Sequence, residues 1–166
     1  MRAGVTALAL VSTAWVALLV AAPVVLVASG SAEGDLGWWV ASLYRATSRI
    51  CHQQPERSFL WSGVPFPVCG RCVALYASGA AGVIAAAWAA WAARPWLAWP
   101  RRPLWTWAGG RAELTWVLAS MSPAAILFVL EWTIADPGTP ARALGSLPLG
   151  LVVGWLAGRE LAGTHR

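Results

Sequence analysis

Three cysteines and one histidine lie close together in the chain, and side chains of these two types can hold metal ions or take part in thiol chemistry. All the cysteines fall within residues 51–72, where Cys69 and Cys72 form a Cys-x-x-Cys pair. That spacing brings two thiols near one another, which suits a shared metal ion and also suits a redox dithiol. We therefore expect a functional site in this protein to include Cys51, His52, Cys69 and Cys72.

A metal site would use all four of these side chains. Cys51 and His52 lie upstream of the Cys-x-x-Cys pair, and the loop between them would fold back to complete a set of three thiolates and one imidazole. Tetrahedral zinc sites of this composition are known. Thiolates together with imidazole favour zinc, copper(I) or iron over magnesium or calcium.

Thiol chemistry is a second interpretation of the same residues. Cys69 and Cys72 could cycle between dithiol and disulfide as a membrane oxidoreductase, with Cys51 as the resolving thiol. Alternatively, Cys51 forms a structural disulfide with Cys69 or Cys72 in a non-catalytic membrane subunit, or the cysteines are small apolar packing residues. The sequence thus predicts where the site lies but leaves open its reaction and whether the protein is an enzyme.

Three neighbouring side chains would support such a site. Arg71 lies inside the Cys-x-x-Cys pair and would favour the thiolate form of either cysteine. Tyr76 follows Cys72 by four residues, which places both on one face of a helix. Arg57 would orient the loop or bind an anion. Alternatively, Arg57 simply lies on a solvated face of the loop.

The composition indicates an integral membrane protein. Hydrophobic residues make up 58% of the chain and charged residues only 11%, with a mean hydropathy of +0.60, whereas a soluble domain carries about 25% charged residues. The net charge of +5 comes entirely from arginines, which flank apolar runs. Flanking arginines and 13 tryptophans are typical of membrane anchoring. We therefore expect the lipid bilayer as a partner and no binding of nucleic acid.

Four apolar segments predict an all-α membrane protein with a single domain over residues 1–166. The first has no charged residue and is long enough to cross the bilayer, although a cleaved signal peptide is the alternative. Residues 30–72, between the first two spans, would hold an interfacial helix near residues 36–50 and then the Cys/His loop. The predicted spans are residues 5–29, 73–93, 114–135 and 143–162.

The distribution of arginine predicts the orientation of the chain. A basic, Trp-rich loop at residues 94–112 separates the second and third spans and contains no acidic residue. By the positive-inside rule this loop is cytoplasmic. Four spans then put both termini in the cytoplasm and the Cys/His loop on the outer face of the cytoplasmic membrane.

Small residues in the spans predict close helix packing. Gly150 and Gly154 form a Gly-x-x-x-Gly pair, which lets helix backbones approach one another. Such a pair fits packing inside the bundle and also fits a homo-oligomer or a membrane-protein partner.

One acidic residue, Glu131, lies in the third apolar segment. A carboxylate in such a helix is costly and usually faces a partner or a cavity. The predicted topology brings Glu131, Arg142 and the cysteine loop to the same membrane face. We expect Glu131 to form an ion pair with Arg142 or Arg71, or to share a pocket with the cysteines, whereas His165 would lie on the opposite face.

The string Cys-His-Gln-Gln-Pro-Glu-Arg-Ser-Phe at residues 51–59, followed by Pro-Val-Cys-Gly-Arg-Cys at 67–72 and by Tyr76, resembles a family of small prokaryotic membrane proteins. The family is known only as domain of unknown function 2085. The resemblance implies several spans and a site at these residues. Glu131 stands where the family commonly has an aspartate, and Arg142 resembles the arginine that precedes a glycine-rich helix. The resemblance implies no activity.

Overall fold

The computed structural model describes residues 2–30, 35–92, 107–133 and 136–163. Five α-helices make up most of this part of the chain, with a short 3-10 helix at Pro55–Arg57 and a two-stranded hairpin between the second and third helices. In chain order the elements are α1 (Arg2–Ser29), α2 (Asp35–Thr47), β1 (Leu60–Trp61), β2 (Val64–Pro65), α3 (Gly70–Ala92), α4 (Trp107–Thr133) and α5 (Gly138–Gly163).

Four of these helices are long and apolar enough to cross a membrane. Even the 18-residue apolar segment of α4 extends about 27 Å at 1.5 Å per residue, close to the hydrocarbon thickness of about 30 Å. The predicted all-α fold with four spans, and with the cysteines between the first two, is therefore confirmed. The apolar segments are Ala3–Ser29, Gly70–Ala92, Leu114–Glu131 and Gly138–Ala162.

All four spanning helices begin earlier than the hydropathy pattern predicts, and in α3 and α5 the earlier start reaches residues of the site. α3 begins at Gly70 rather than at residue 73, and α5 begins at Gly138 rather than at residue 143. Glycine, arginine and proline lower the hydropathy of these first turns, although the helical backbone already includes them. As a consequence Cys72 lies in the first turn of α3.

The predicted basic loop at residues 94–112 overlaps α4. This helix begins at Trp107, so residues 107–112 are helical. The rest of the loop, residues 134–135 of the third predicted span and His165 lie outside the described residues.

Glycines let the backbones of α3 and α5 meet at the centre of the bundle. A Cβ added at Gly154 would overlap the backbone of Gly79, and one added at Gly82 would overlap the carbonyl group of Leu151. A Cβ at Gly150 would overlap the Ser78 side chain. The Gly-x-x-x-Gly pair is thus used for packing inside the bundle, where membrane helices gain from close van der Waals contact.

The other two spanning helices pack against this central pair. α1 contacts α3 and α5, and α4 contacts α5. Val5 of α1 is buried with Val83 and Ala87 of α3. Many apolar side chains of α4 face outward, including Leu118 at 57% and Phe128 at 51% exposure. Such a surface suits contact with lipid chains.

The segment between α1 and α3 contains the predicted interfacial helix and the cysteine loop. α2 ends at Thr47, three residues before the predicted end of that helix. The antiparallel hairpin pairs Leu60 with Pro65 and Trp61 with Val64. Its two turn residues both have positive φ, with the glycine at the second position, which is the backbone of a tight hairpin turn.

Candidate functional site

The three cysteine sulfurs lie together near the first turn of α3. The Sγ atoms of Cys51, Cys69 and Cys72 are all within 4.8 Å of one another. Cys51 is buried, whereas Cys69 and Cys72 are partly exposed, and all three are free thiols. The structure therefore brings the sulfur of Cys51, 18 residues before Cys69 in the chain, to the Cys-x-x-Cys pair.

Helix α3 positions two of the sulfurs. Cys69 directly precedes the helix and Cys72 lies in its first turn, where the backbone N–H groups carry a partial positive charge that favours thiolates. The backbone N–H of Cys69 donates to Sγ of Cys51, with a nitrogen–sulfur distance of 3.2 Å. This bond links the two ends of the cysteine loop.

Gln53 fixes the segment that carries Cys51. Its backbone has φ of 50°, a left-handed conformation that non-glycine residues seldom adopt. Its Nε2 atom lies 2.7 Å from the carbonyl oxygens of Tyr44 and Pro67 and from Oγ1 of Thr47. The Gln53 amide thus connects the end of α2 to Pro67, two residues before Cys69. Gln53 belongs to the motif at residues 51–59, but nothing in the sequence predicts this role for it.

Apolar side chains from distant parts of the chain cover the sulfurs. Leu19 of α1 and Val68 are buried with Cys51, and Trp15 and Tyr76 pack against this cluster. The rings of Trp15 and Tyr76 meet edge to face, with centroids 6.1 Å apart and an angle of 86°. Tyr76 thus lies beside the cysteines, as its helical spacing from Cys72 predicts. Nothing in the sequence predicts the contributions of Trp15 and Leu19, because residues 14–22 of α1 are uniformly apolar.

Hydrogen bonds stabilise the thiolate of Cys69. The thiol of Cys72 donates to this sulfur, as do the backbone N–H groups of Cys72 and Arg71, and a hydrogen bond with Cys51 acts in the same direction. Burial opposes these bonds, but together they lower the pKa of Cys69 to about 5. One sulfur of the group is therefore negatively charged at neutral pH.

His52 is not part of this sulfur group. Among the described residues, the group of possible ligands contains the three cysteines alone. The side chain of Cys51 is buried and that of His52 is exposed, while Gln53 is partly buried. The turn that directs Cys51 inward thus directs the next side chain outward. The expected set of three thiolates and one imidazole is not assembled in this structure.

A second cluster joins charged residues of α3, α4 and α5. The Glu131 carboxylate pairs with Nη2 of Arg71 through one oxygen and with Arg142 through the other, where Nε of Arg142 lies 2.6 Å away. Nη2 of Arg57 lies 3.9 Å from the same carboxylate, and Asp136 pairs with Arg142 at 2.8 Å. Both alternatives for the ion pair of Glu131 are thus present at once, and two further charges join them.

Arg71 connects the two clusters through different atoms. Its backbone N–H donates to Cys69, whereas its guanidinium group lies over the ring of Phe128 and pairs with Glu131. Arg71 therefore supports the Cys69 thiolate through its backbone N–H rather than through its side-chain charge, because that charge is directed toward α4.

The loop itself packs directly against the start of α5. Oγ1 of Thr139 donates to the carbonyl oxygen of Glu56 over 3.3 Å, and a Cβ at Gly70 would overlap the Thr139 side chain. Ser58 is buried, and its hydroxyl donates to the carbonyl oxygen of Gln54. The hydroxyl of Ser58 therefore stabilises the turn that presents Arg57.

Comparison with known proteins identifies the family but no activity. A stretch of 27 residues, 16% of the chain, is 56% identical to an uncharacterized protein of Methanothermobacter thermautotrophicus. The match spans 24% of that relative's length. No solved structure matches the chain. Residues 51–156 match the model of a protein family that is described as a predicted membrane protein (DUF2085). This range contains the three cysteines, Glu131 and Arg142. Since this match covers more than half of the sequence, the chain belongs to that family.

Proposed function

We propose that this membrane protein binds a thiophilic metal ion through Cys51, Cys69 and Cys72. The observation that carries the proposal is the distance of at most 4.8 Å between the sulfurs. Metal–sulfur bonds of about 2.3 Å in a tetrahedral site would place the sulfurs about 3.8 Å apart. A contraction of about 1 Å or less would therefore suffice to coordinate an ion.

The surroundings of the sulfurs also support metal binding. Thiolate is the form that binds metal, and Cys69 is in this form at neutral pH because its pKa is about 5. Leu19 and Val68, which are 1% and 0% exposed, keep water from one side of the group. Soft sulfur ligands select zinc, copper(I) or iron.

The test is a metal analysis of the protein purified without chelator. We expect close to one metal ion per chain by plasma mass spectrometry, and loss of most of it in Cys51→Ser, Cys69→Ser and Cys72→Ser. His52→Ala is the matched control, because it removes an adjacent potential ligand that lies outside the sulfur group. If His52→Ala retains the metal, the three thiolates alone bind it. A loss equal to that in the Cys→Ser variants would show that His52 is a fourth ligand. A wild-type protein with no metal would overturn the proposal.

A second candidate is a thiol–disulfide oxidoreductase, which the low pKa of Cys69 favours. The Cys69 thiolate would attack a substrate disulfide, forming a mixed disulfide and releasing one substrate thiolate. Cys72, in place of the Cys51 expected from the sequence as resolving thiol, would then lose its proton, attack Sγ of Cys69 and release the second substrate thiolate. Two electrons pass from the protein to the substrate, and a Cys69–Cys72 disulfide remains. Trapping of a mixed disulfide by Cys72→Ala in a metal-free protein would favour this function.

We also propose that the cysteine loop faces outward from the cytoplasmic membrane, with both termini inside. The arginines at residues 94–112, between the second and third spans, support this orientation. An impermeant thiol reagent should label Cys69 or Cys72 in intact cells, since both are partly exposed. Labelling only after lysis would reverse the orientation.

A further inference from the structure

The charged cluster around Glu131 has more positive than negative groups. Three arginines, Arg57, Arg71 and Arg142, converge on Glu131, and Asp136 is the second carboxylate. Three positive charges thus face two negative ones. Glu56 is exposed, and its side chain joins none of the ion pairs seen among the described residues.

Helix ends add to this positive potential. α3 begins at Gly70 and α5 at Gly138, and their first turns are in contact through Thr139. The N-terminal end of each helix carries a partial positive charge. The carboxylate of Asp136 accepts a hydrogen bond from the backbone N–H of Gly138 over 2.7 Å. This bond and the Arg142 side chain lower the pKa of Asp136, as expected for a carboxylate in positive surroundings.

One donor in the cluster lacks an acceptor. Arg142 is 2% exposed, and Nη1 of its guanidinium group has no hydrogen-bond partner among the described residues. Its other nitrogens are used by Glu131 and Asp136. A buried charged donor without an acceptor is costly, so such groups usually have a partner. An oxyanion would provide one.

The cluster also lies at the level where phosphate groups are concentrated. Glu131 is the last residue of one apolar segment, and Gly70 and Gly138 are the first residues of two others. The cluster is therefore at the boundary between hydrocarbon and headgroups. Arg57, whose side chain is 49% exposed, forms its open side.

From these observations we infer that the cluster binds the phosphate group of a ligand at this membrane face, with Arg57 and Nη1 of Arg142 as donors. Planar guanidinium groups donate two parallel hydrogen bonds to a phosphate, which explains the use of arginine. Arg57, which is 49% exposed, would meet the anion from the solvent side, and the buried Nη1 of Arg142 would have to become accessible on binding. This site is distinct from the proposed metal site, and each can fail without the other.

The test uses the full-length protein in a neutral detergent. Binding of phosphatidylglycerol and of phosphatidylcholine is measured by native mass spectrometry, and inorganic phosphate is titrated at constant ionic strength. We expect saturable binding of at least one phosphate-bearing probe. Arg57→Gln should weaken it about tenfold, the loss of one charge-assisted hydrogen bond.

Matched variants make the result specific. Arg49→Gln removes an exposed arginine from the same loop and should leave binding close to the wild-type value. Arg57→Lys keeps the charge and should fall between wild type and Arg57→Gln. Competition by inorganic phosphate would identify a free oxyanion as the ligand, and lipid binding that phosphate does not displace would identify a headgroup. Equal losses in Arg57→Gln and Arg49→Gln, or saturable binding of no probe, would overturn the inference.

Discussion

At the scale of single residues, Gln53 holds together the two segments that carry the cysteines. Its amide contacts three oxygen acceptors on α2 and on the segment before α3. We expect Gln53→Ala to lower the free energy of unfolding by about 1–3 kcal/mol, because three hydrogen bonds are lost and the carbonyl oxygen of Pro67 loses the Gln53 donor. Metal content should fall as well, because Cys51 and Cys69 would no longer be held together.

The neighbouring amide provides the control for this prediction. Gln54 is exposed, so Gln54→Ala should leave the thermal midpoint and the metal content close to wild type. Thermal unfolding in detergent and metal analysis of the purified variants measure both effects. If Gln53→Ala and Gln54→Ala behave alike, Gln53 does not position the site.

The ionisation of Cys69 gives a prediction about pH. Its pKa of about 5 lies below the ordinary thiol value of about 8.5, so the thiolate persists as pH falls and is protonated only near pH 5. In metal-free protein, the rate of Cys69 alkylation by iodoacetamide should therefore rise with a midpoint near pH 5. Mass spectrometry of the Cys69 peptide measures this rate.

Substitution of Cys72 tests whether its hydrogen bond lowers the pKa of Cys69. Cys72→Ala removes the main hydrogen-bond donor to Cys69, so the midpoint should move upward toward the ordinary thiol value. Cys72→Ser keeps a donor and should move it less. A wild-type midpoint near the ordinary value of about 8.5 would show that the hydrogen bonds do not stabilise the thiolate.

The contrast between Cys51 and His52 shows what residue types alone could not predict. Both can bind a metal, and they are adjacent in the chain. The inward turn of Cys51 goes with the left-handed backbone at Gln53 and with packing against Leu19, which residue types alone do not reveal. The sequence therefore predicted that the three cysteines come together, as they do, but it could not exclude the imidazole from the group.

At the scale of elements, hydropathy predicted the four spans because uninterrupted apolar runs have few alternatives to a membrane helix. It could not predict that α1 covers the cysteines, since this contact joins residues far apart in the chain and residues 14–22 of α1 are all apolar. The first turns of α3 and α5 were missed because helix starts depend on backbone hydrogen bonding rather than on apolar content.

The contact between α3 and α5 leads to a prediction about packing. Gly154→Ala places a methyl group where the backbone of Gly79 lies, so the two helices must separate. Overpacking of this kind costs about 1–3 kcal/mol. We expect a lower thermal midpoint in detergent for this variant. Gly4→Ala is the control, because its added Cβ would have its nearest neighbour 3.9 Å away; similar midpoints for the two variants would contradict the close packing of α3 against α5.

At the scale of the whole molecule, Glu131 links three spanning helices at the membrane face that carries the cysteines. It belongs to α4 and pairs with Arg71 of α3 and Arg142 of α5. Topology predicted that these helix ends meet. The sequence did not predict that Arg57 and Asp136 join them, because both come from short connecting segments whose path depends on the fold.

Removal of this carboxylate should therefore destabilise the bundle as a whole. Glu131→Gln leaves Arg142, which is 2% exposed, with the exposed Asp136 as its remaining anionic partner. Breaking a buried ion pair from one side costs about 3–5 kcal/mol, so the thermal midpoint should fall clearly. Glu56→Gln is the control, because Glu56 is exposed and its side chain joins none of the ion pairs seen among the described residues. Equal midpoints for the two variants would mean that the Glu131 cluster is not what holds the three helix ends together.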